Sequence, residues 1–118
     1  MADWGHVMAV DFWILSVMAE QGDAAAQYCF GLLYQRGGVM YKGTKAVPQD
    51  VAEGLKWVRK AAEQGLAEAQ CHLGVMHGCG QGVPQDYVQA YTWFSAAATQ
   101  SNINAKTFRK LIGELIQN

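Results

Sequence analysis

Four side chains that could bind a metal lie within nine residues of this chain: Cys71, His72, His77 and Cys79. Thiolate and imidazole groups are the usual ligands of zinc and of redox metals. An α-helix turns by about 100° per residue, so Cys71 and His77 would point about 240° apart around one helix. The four groups therefore cannot converge without breaking that helix. We predict no metal and no cofactor, and keep as the alternative a metal-binding or enzymatic protein that uses these four residues.

A glycine-rich loop follows this cluster, with Gly78, Gly80 and Gly82. Such loops hold phosphate groups when they lead into the N-terminus of a helix. Here no strand is predicted before the loop and no Lys-Ser or Lys-Thr pair follows it, so the context of a nucleotide site is missing. The serine and histidine residues also form no nucleophile motif. The sequence therefore predicts a protein that is not an enzyme.

The charge balance gives no general attraction to polyanions. Nine Lys and Arg residues against ten Asp and Glu residues give the 118-residue chain a formal net charge of −1. This predicts neither nucleic acid nor a membrane as a partner. The charge is nevertheless uneven, because the first 35 residues contain four acidic residues and no basic one, whereas Lys106, Arg109 and Lys110 crowd the end of the chain.

Cysteine usage indicates the compartment. Three cysteines are an odd number and cannot form a complete set of intrachain disulfides. This favours a reducing compartment and predicts a cytoplasmic location. The apolar stretch 7–19 is interrupted by Asp11 and has no Lys or Arg before it, unlike an export signal, and it is too short to cross a bilayer. The alternative that an export signal preceded this sequence and was removed stays open.

An internal repeat organises the chain. The string VPQD occurs at 47–50 and again at 83–86, an offset of 36 residues that also pairs Trp57 with Trp93. Upstream of VPQD the offset becomes 43 residues, pairing Gln27 with Gln70, so seven residues are inserted in the first copy, most simply 39–45 (VMYKGTK). Self-similarity at this period predicts a helical solenoid.

Each repeat is predicted to contain two helices. The second helix begins after VPQD, where Asp50 and Asp86 are natural N-caps, and Glu53 and Gln89 three residues later complete the pattern of a capping box. Gly65 is predicted to end the second helix of the first repeat.

A glycine stands in the middle of each first helix, at Gly31 and Gly74. A mid-helix glycine costs about 1 kcal/mol relative to alanine. We therefore expect a close approach of the paired helix, through Ala61 in the first repeat and Ala97 in the second.

The segment LGVMHGCGQGVPQDYVQAYTWFSAAATQ and the AEAQ before it resemble the Sel-one-like repeat (SLR) family, a relative of the tetratricopeptide repeats. The second repeat has the family residue at nearly every position, with His77 in place of an aromatic residue. The first repeat departs from the pattern at Phe30, at the insertion and at Gly54. The resemblance covers residues 24–101.

This resemblance implies an all-α, right-handed α-α superhelix (solenoid) of about six helices. We predict a single SLR domain over 1–118, with an N-terminal half-repeat helix at 8–22, repeat 1 at 24–65, repeat 2 at 67–101 and a capping helix at 102–117. The half-repeat is predicted because AEQG at 19–22 recurs at 62–65. The capping helix has its own apolar stripe of residues at helical spacing, namely Phe108, Leu111, Ile112, Leu115 and Ile116.

The function implied by the resemblance is a non-enzymatic protein-protein interaction module, an adaptor or small inhibitor or regulator of bacterial type. Repeats of this kind bind a protein or peptide on a concave groove lined by their first helices. For Tyr28 and Leu32 a core role under the N-terminal helix stays open. The groove positions transferred by resemblance are Tyr28, Leu32, Gln35, Arg36, Glu68, Cys71, Val75 and Cys79.

The N-terminal helix supplies a second candidate surface, the interface stripe of Val10, Trp13 and Val17. When the two AEQG strings are aligned, these apolar residues fall where the first repeat has charged residues. Exposed apolar stripes mark interfaces, so the stripe predicts contact with a partner or a second copy of the chain, and homo-oligomerisation is a second alternative function. Two alternatives stay open: a register shifted by one, which matches Trp13 with Trp57, and a fold-back of Met1 to His6 that covers the stripe.

The insertion supplies a third candidate. An extended loop on a rigid scaffold often carries recognition, and a neutral insertion is the competing hypothesis. The residues of this predicted recognition loop are Met40, Tyr41, Lys42 and Lys45.

Overall fold

The computed structural model describes residues 14–37, 48–100 and 102–117, most of which are helical. No strand occurs within these ranges, and the predicted all-α helical-repeat class is confirmed. The chain divides into two compact units, Met1–Lys60 and Ala61–Asn118. The helices are α1 (14–20), α2 (Ala24–Arg36), α3 (Val51–Glu63), α4 (Ala67–Cys79), α5 (Tyr87–Ala98) and α6 (Ile103–Gln117).

The first VPQD turns the chain from α2 into α3 through three hydrogen bonds. The Asp50 side chain accepts from the backbone N–H of Glu53 at 3.0 Å, as an N-cap does. The Asp50 backbone N–H donates to the carbonyl of Tyr34 at 2.8 Å. The Gln49 side chain donates to the carbonyl of Gln35 at 2.9 Å. One short motif thus caps the new helix and satisfies carbonyls at the end of the old one.

The second VPQD makes the same three bonds between α4 and α5. The Asp86 side chain accepts from the Gln89 N–H at 3.1 Å, and the Asp86 N–H donates to the His77 carbonyl at 2.8 Å. The Gln85 side chain donates to the Gly78 carbonyl at 2.9 Å. Both copies of the motif are therefore structural corners, and the predicted N-caps are confirmed.

The predicted capping boxes are wrong. A capping box needs the N–H of the cap residue, and here Asp50 and Asp86 have already donated theirs to the preceding helix. The Glu53 carboxylate instead accepts from the indole N–H of Trp57 at 3.1 Å and pairs with the Lys56 amine at 3.7 Å. The bond from the cap N–H to the preceding helix has therefore taken the place of the bond that a capping box would make.

In the first unit, Gly31 lets α2 and α3 approach backbone to backbone. A Cβ atom at Gly31 would lie 2.8 Å from the Gly54 carbonyl oxygen and 2.8 Å from the Val58 side chain. The expected close approach is present, but Val58 and Gly54 make it rather than Ala61. Phe30 fills the core beside this crossing, with its ring edge-on to that of Trp57 at a centroid distance of 5.2 Å.

In the second unit, Gly74 performs the same role against α5. A Cβ atom there would lie 2.6 Å from a ring carbon of Phe94, so the nearest contact is Phe94 rather than the expected Ala97. Phe94 and Val58 are equivalent positions of the two repeats. The glycine is required because the second helix places its larger side chain directly over the first.

The predicted half-repeat at 8–22 lies partly outside the described residues, but its AEQG string makes the same hydrogen bond as AEQG at 62–65. The Gln27 side-chain amide donates to the carbonyl of Ala19 at 3.1 Å, and that of Gln70 donates to the carbonyl of Ala62 at 3.1 Å. Gly22 and its counterpart Gly65 both have positive φ, 101° and 95°. The two AEQG strings are therefore equivalent, and the register shifted by one does not apply to residues 19–22.

We expect Gly74→Ala to destabilise the protein by about 1–3 kcal/mol, because the new methyl group overlaps the Phe94 ring in a packed core. Gly78→Ala on the same helix is the matched control, since its Cβ would meet nothing closer than the Ile112 side chain at 3.6 Å. That variant should be neutral, or more stable by up to about 1 kcal/mol through helix propensity. Urea unfolding followed by circular dichroism measures both variants, and equal stabilities would contradict the close approach.

Candidate functional site

The four candidate metal ligands all lie on the continuous helix α4 or at its last residue. Cys71 and His77 are buried, His72 is half-buried and Cys79 is exposed. In the described part of the chain, no three His, Cys, Asp or Glu side chains come together in a group that could hold a metal ion. The geometry therefore offers the metal-binding alternative no site within those residues.

Burial leaves two of these groups neutral. Burial raises the pKa of the Cys71 thiol above its ordinary value, and it lowers the pKa of the His72 imidazole. Both shifts arise because removal from water disfavours the charged form. Cys71 belongs to a core cluster with Ala90 and Phe94, so its thiol packs like a small apolar side chain and is not activated as a nucleophile.

The predicted groove positions of the first repeat differ in their surroundings. Tyr28 and Leu32 are half-buried on α2, and Arg36 is exposed at its end. The Gln35 side chain lies against α3, and the backbone carbonyl of Gln35 accepts the hydrogen bond from the Gln49 side chain. Gln35 is therefore part of the VPQD corner, while Tyr28, Leu32 and Arg36 remain the predicted ridge of this unit.

The predicted groove positions of the second repeat require a correction. Glu68 and Cys79 are exposed and Val75 is half-buried, but Cys71 is only 8% exposed. Val75 and Ile112 of α6 pack against the cluster that contains Cys71. The family pattern does not include α6, so the transfer by resemblance placed Cys71 on a surface that this helix covers.

Next to this contact lies an apolar cleft of about 250 Å³, which we call the α4–α6 cleft. One wall is a ridge of α6 in which Phe108, Leu111 and Leu115 follow each other at helical spacing. Leu111 and Leu115 are 51% and 50% exposed. Among the described residues no charged side chain lines the cleft, whose lining residues are Val75, Gly78, Cys79, Tyr87, Phe94, Phe108, Leu111, Ile112 and Leu115.

The α4–α6 cleft was only partly visible in the sequence. The apolar stripe of α6 was predicted, and the helix is confirmed. Within that stripe Ile112 is half-buried and the other four residues are exposed, whereas the residue buried on α6 is the small Ala105. Because Ala105 occupies the seam, the larger side chains beside it stay exposed.

The two other candidate surfaces fall largely outside the described residues. On the interface stripe, Val10 and Trp13 lie outside them and Val17 is half-buried. On the same helix, Ile14 and Met18 are exposed. The predicted recognition loop also lies outside the described residues, with all of its members Met40, Tyr41, Lys42 and Lys45.

Comparison with known families supports the repeat assignment. A family model described as Sel1 repeat matches residues 22–66 and 67–102. No curated protein matches the chain significantly.

None of the helices within the described residues is long and apolar enough to span a membrane.

Two solved structures are similar to this chain. A Sel1 repeat protein from Oxalobacter formigenes is 34% identical with a TM-score of 0.74, over 85% of this chain and 38% of that one. A protective antigen present in uropathogenic Escherichia coli strains, which displays an SLR fold, is 38% identical with a TM-score of 0.67, over 77% of this chain and 18% of that one. The chain thus spans well under half the length of either structure.

We expect the thiols of the folded protein to differ sharply in reactivity. Cys29 and Cys79 are exposed and should react with a thiol reagent at the rate of a free cysteine, whereas the buried Cys71 should react about a hundredfold more slowly. Mass spectrometry of partially labelled protein identifies the site, and labelling in denaturant is the control. Equal rates for Cys71 and Cys79 would contradict the packing of α6 over α4.

Proposed function

The chain belongs to the Sel1 repeat family, and on that premise we propose that it is a non-enzymatic adaptor or small regulator that binds an apolar helix of a partner protein. The family generally provides protein-protein interaction modules. The observation that carries the proposal is the α4–α6 cleft, an apolar surface with no charged side chain among its described lining residues.

The shape of the cleft favours a helix as its occupant. Phe108, Leu111 and Leu115 form a ridge at spacings of three and four residues, and Val75 and Cys79 face them from α4 with a spacing of four. The ridges of a third helix fit between two such rows. Full burial of one large apolar side chain is worth about 1.5–3 kcal/mol, so covering the exposed parts of three would contribute roughly 2–4 kcal/mol.

The electrostatics of the described residues support a binding role over a catalytic one. Burial raises the pKa of the Cys71 thiol and lowers that of the His72 imidazole, so both groups stay in their neutral forms. Burial and the nearby Glu53 and Asp50 carboxylates raise the pKa of the Tyr34 hydroxyl. An activated nucleophile or base would instead have its pKa moved toward the pH at which it works.

A second candidate function is self-association through α1. Ile14 and Met18 are both exposed apolar residues on that helix, beside the predicted stripe residue Val17. Light scattering that shows a monomer across a wide concentration range would remove this candidate.

The free thiols of Cys29, Cys71 and Cys79 support the proposal of a reducing, cytoplasmic location.

We expect Leu111→Asp/Leu115→Asp to abolish partner binding, because two carboxylates in the apolar cleft would weaken it by about a hundredfold. The measurement is quantitative capture of partner proteins from the native host by the tagged chain. Ile103→Asp is the matched control, since Ile103 is 77% exposed on the same helix and does not line the cleft. Circular dichroism checks that all variants fold.

A partner retained by the Ile103→Asp control and lost by the double variant supports the proposal. If the double variant retains the partner, the cleft is not the binding surface. Tyr28→Ala/Arg36→Ala tests the ridge of the first repeat in the same experiment, and loss with that variant alone would assign binding to α2 instead.

A further inference from the structure

A second groove lies on the seam between α5 and α6, separate from the α4–α6 cleft. Its first part is a cleft of about 490 Å³ lined by Lys106, Arg109 and Lys110 together with Tyr91. Its second part, of about 280 Å³, is lined by Val88, Thr92 and Ile116. The two parts share Tyr91, Gly113 and Gln117, so they form one continuous α5–α6 groove. None of its lining residues lines the α4–α6 cleft.

Gly113 keeps the groove open at its centre. A Cβ atom at Gly113 would come within 3.4 Å of the Tyr91 ring, so a longer side chain at this position would project into the space beside that ring. Tyr91 is itself exposed. The middle of the groove is thus an aromatic face opposite bare helix backbone.

The two ends of the groove have different chemistry. At one end Val88 and Ile116 are exposed, Val88 to 64%. At the other end Lys106, Arg109 and Lys110 line the groove with Glu114, the one acidic residue among its described lining residues. None of these three cations forms an ion pair within the described residues, where the one ion pair joins Lys56 and Glu53. The groove therefore carries local positive charge on a chain whose net charge is −1.

We propose that the α5–α6 groove binds an acidic segment of another protein in which an apolar side chain stands next to a run of carboxylates. The carboxylates complement the unpaired Lys106, Arg109 and Lys110, and a guanidinium such as that of Arg109 pairs well with a carboxylate. The apolar side chain covers Val88 and Ile116. A nucleic acid would match the cations and leave the apolar end uncovered.

The test is fluorescence anisotropy of a labelled synthetic peptide with leucines at one end and a run of glutamates at the other. We expect binding that weakens as salt is added. The Lys106→Glu/Lys110→Glu variant should bind the peptide about tenfold or more weakly than wild type. Lys56→Glu/Arg59→Glu makes the same change in net charge on α3, outside the groove, and should bind as wild type. A peptide with lysines in place of the glutamates should not bind.

The apolar end is tested separately. Val88→Ser should weaken binding of the leucine peptide by about threefold or more and leave binding of an alanine version unchanged. Ile103→Ser is the matched control, because Ile103 is exposed and outside the groove. Gly113→Met, which fills the groove beside Tyr91, should reduce binding of both peptides.

Three results would overturn the proposal: equal peptide affinity of wild type and Lys106→Glu/Lys110→Glu, tighter binding of a single-stranded oligonucleotide than of the peptide, or self-association of the protein that is lost in that double variant. The last two would assign the groove to nucleic acid or to a second copy. Leu111→Ser/Leu115→Ser, which disrupts the α4–α6 cleft without adding charge beside Lys110, should bind the peptide normally, so loss of binding at the α4–α6 cleft and loss of binding at this groove are distinguished.

Discussion

The close contact between the two helices of each repeat depends on a glycine in the first helix. Gly31 and Gly74 let Val58 and Phe94 lie directly over the helix backbone, at distances that a Cβ atom could not share. Helices of 12 to 15 residues are marginal by themselves, so this packing, rather than their propensity, keeps them formed. The Gln27 and Gln70 side-chain bonds then join each first helix to the helix before it.

The candidate surfaces arise where the repeat pattern stops. Within the second unit, α6 packs on α4 and α5 through the small, fully buried Ala105, and its larger apolar side chains Phe108, Leu111 and Leu115 remain beside this contact. The small Ala105 brings the helices together, and the side chains beside it stay partly exposed, although the Phe108 ring also packs against that of Phe94 at a centroid distance of 5.4 Å. The α4–α6 cleft and the α5–α6 groove are the two surfaces that this arrangement produces, one uncharged and one basic.

The sequence predicts much of the fold because repetition exposes it. The 36-residue and 43-residue offsets identified the corners at Asp50 and Asp86 and the mid-helix glycines, and they predict the half-repeat helix at 8–22. Local rules failed where a tertiary partner competes, as with the capping boxes, whose N–H groups are donated to the preceding helix instead. The burial of Cys71 could not be predicted, since it depends on where α6 packs and no second copy of α6 exists for comparison. The opening at Gly113 gave no sequence signal, because a lone glycine in a helix does not reveal what faces it.

Amide hydrogen exchange of the chain, alone and in complex with the partner it captures, tests the central claim that the α4–α6 cleft is the binding surface. We predict that added protection on binding is concentrated in 108–115 of α6 and in 75–79 of α4, with 24–36 of α2 unchanged. Protection confined to α2, with α6 exchanging as in the free protein, would contradict it.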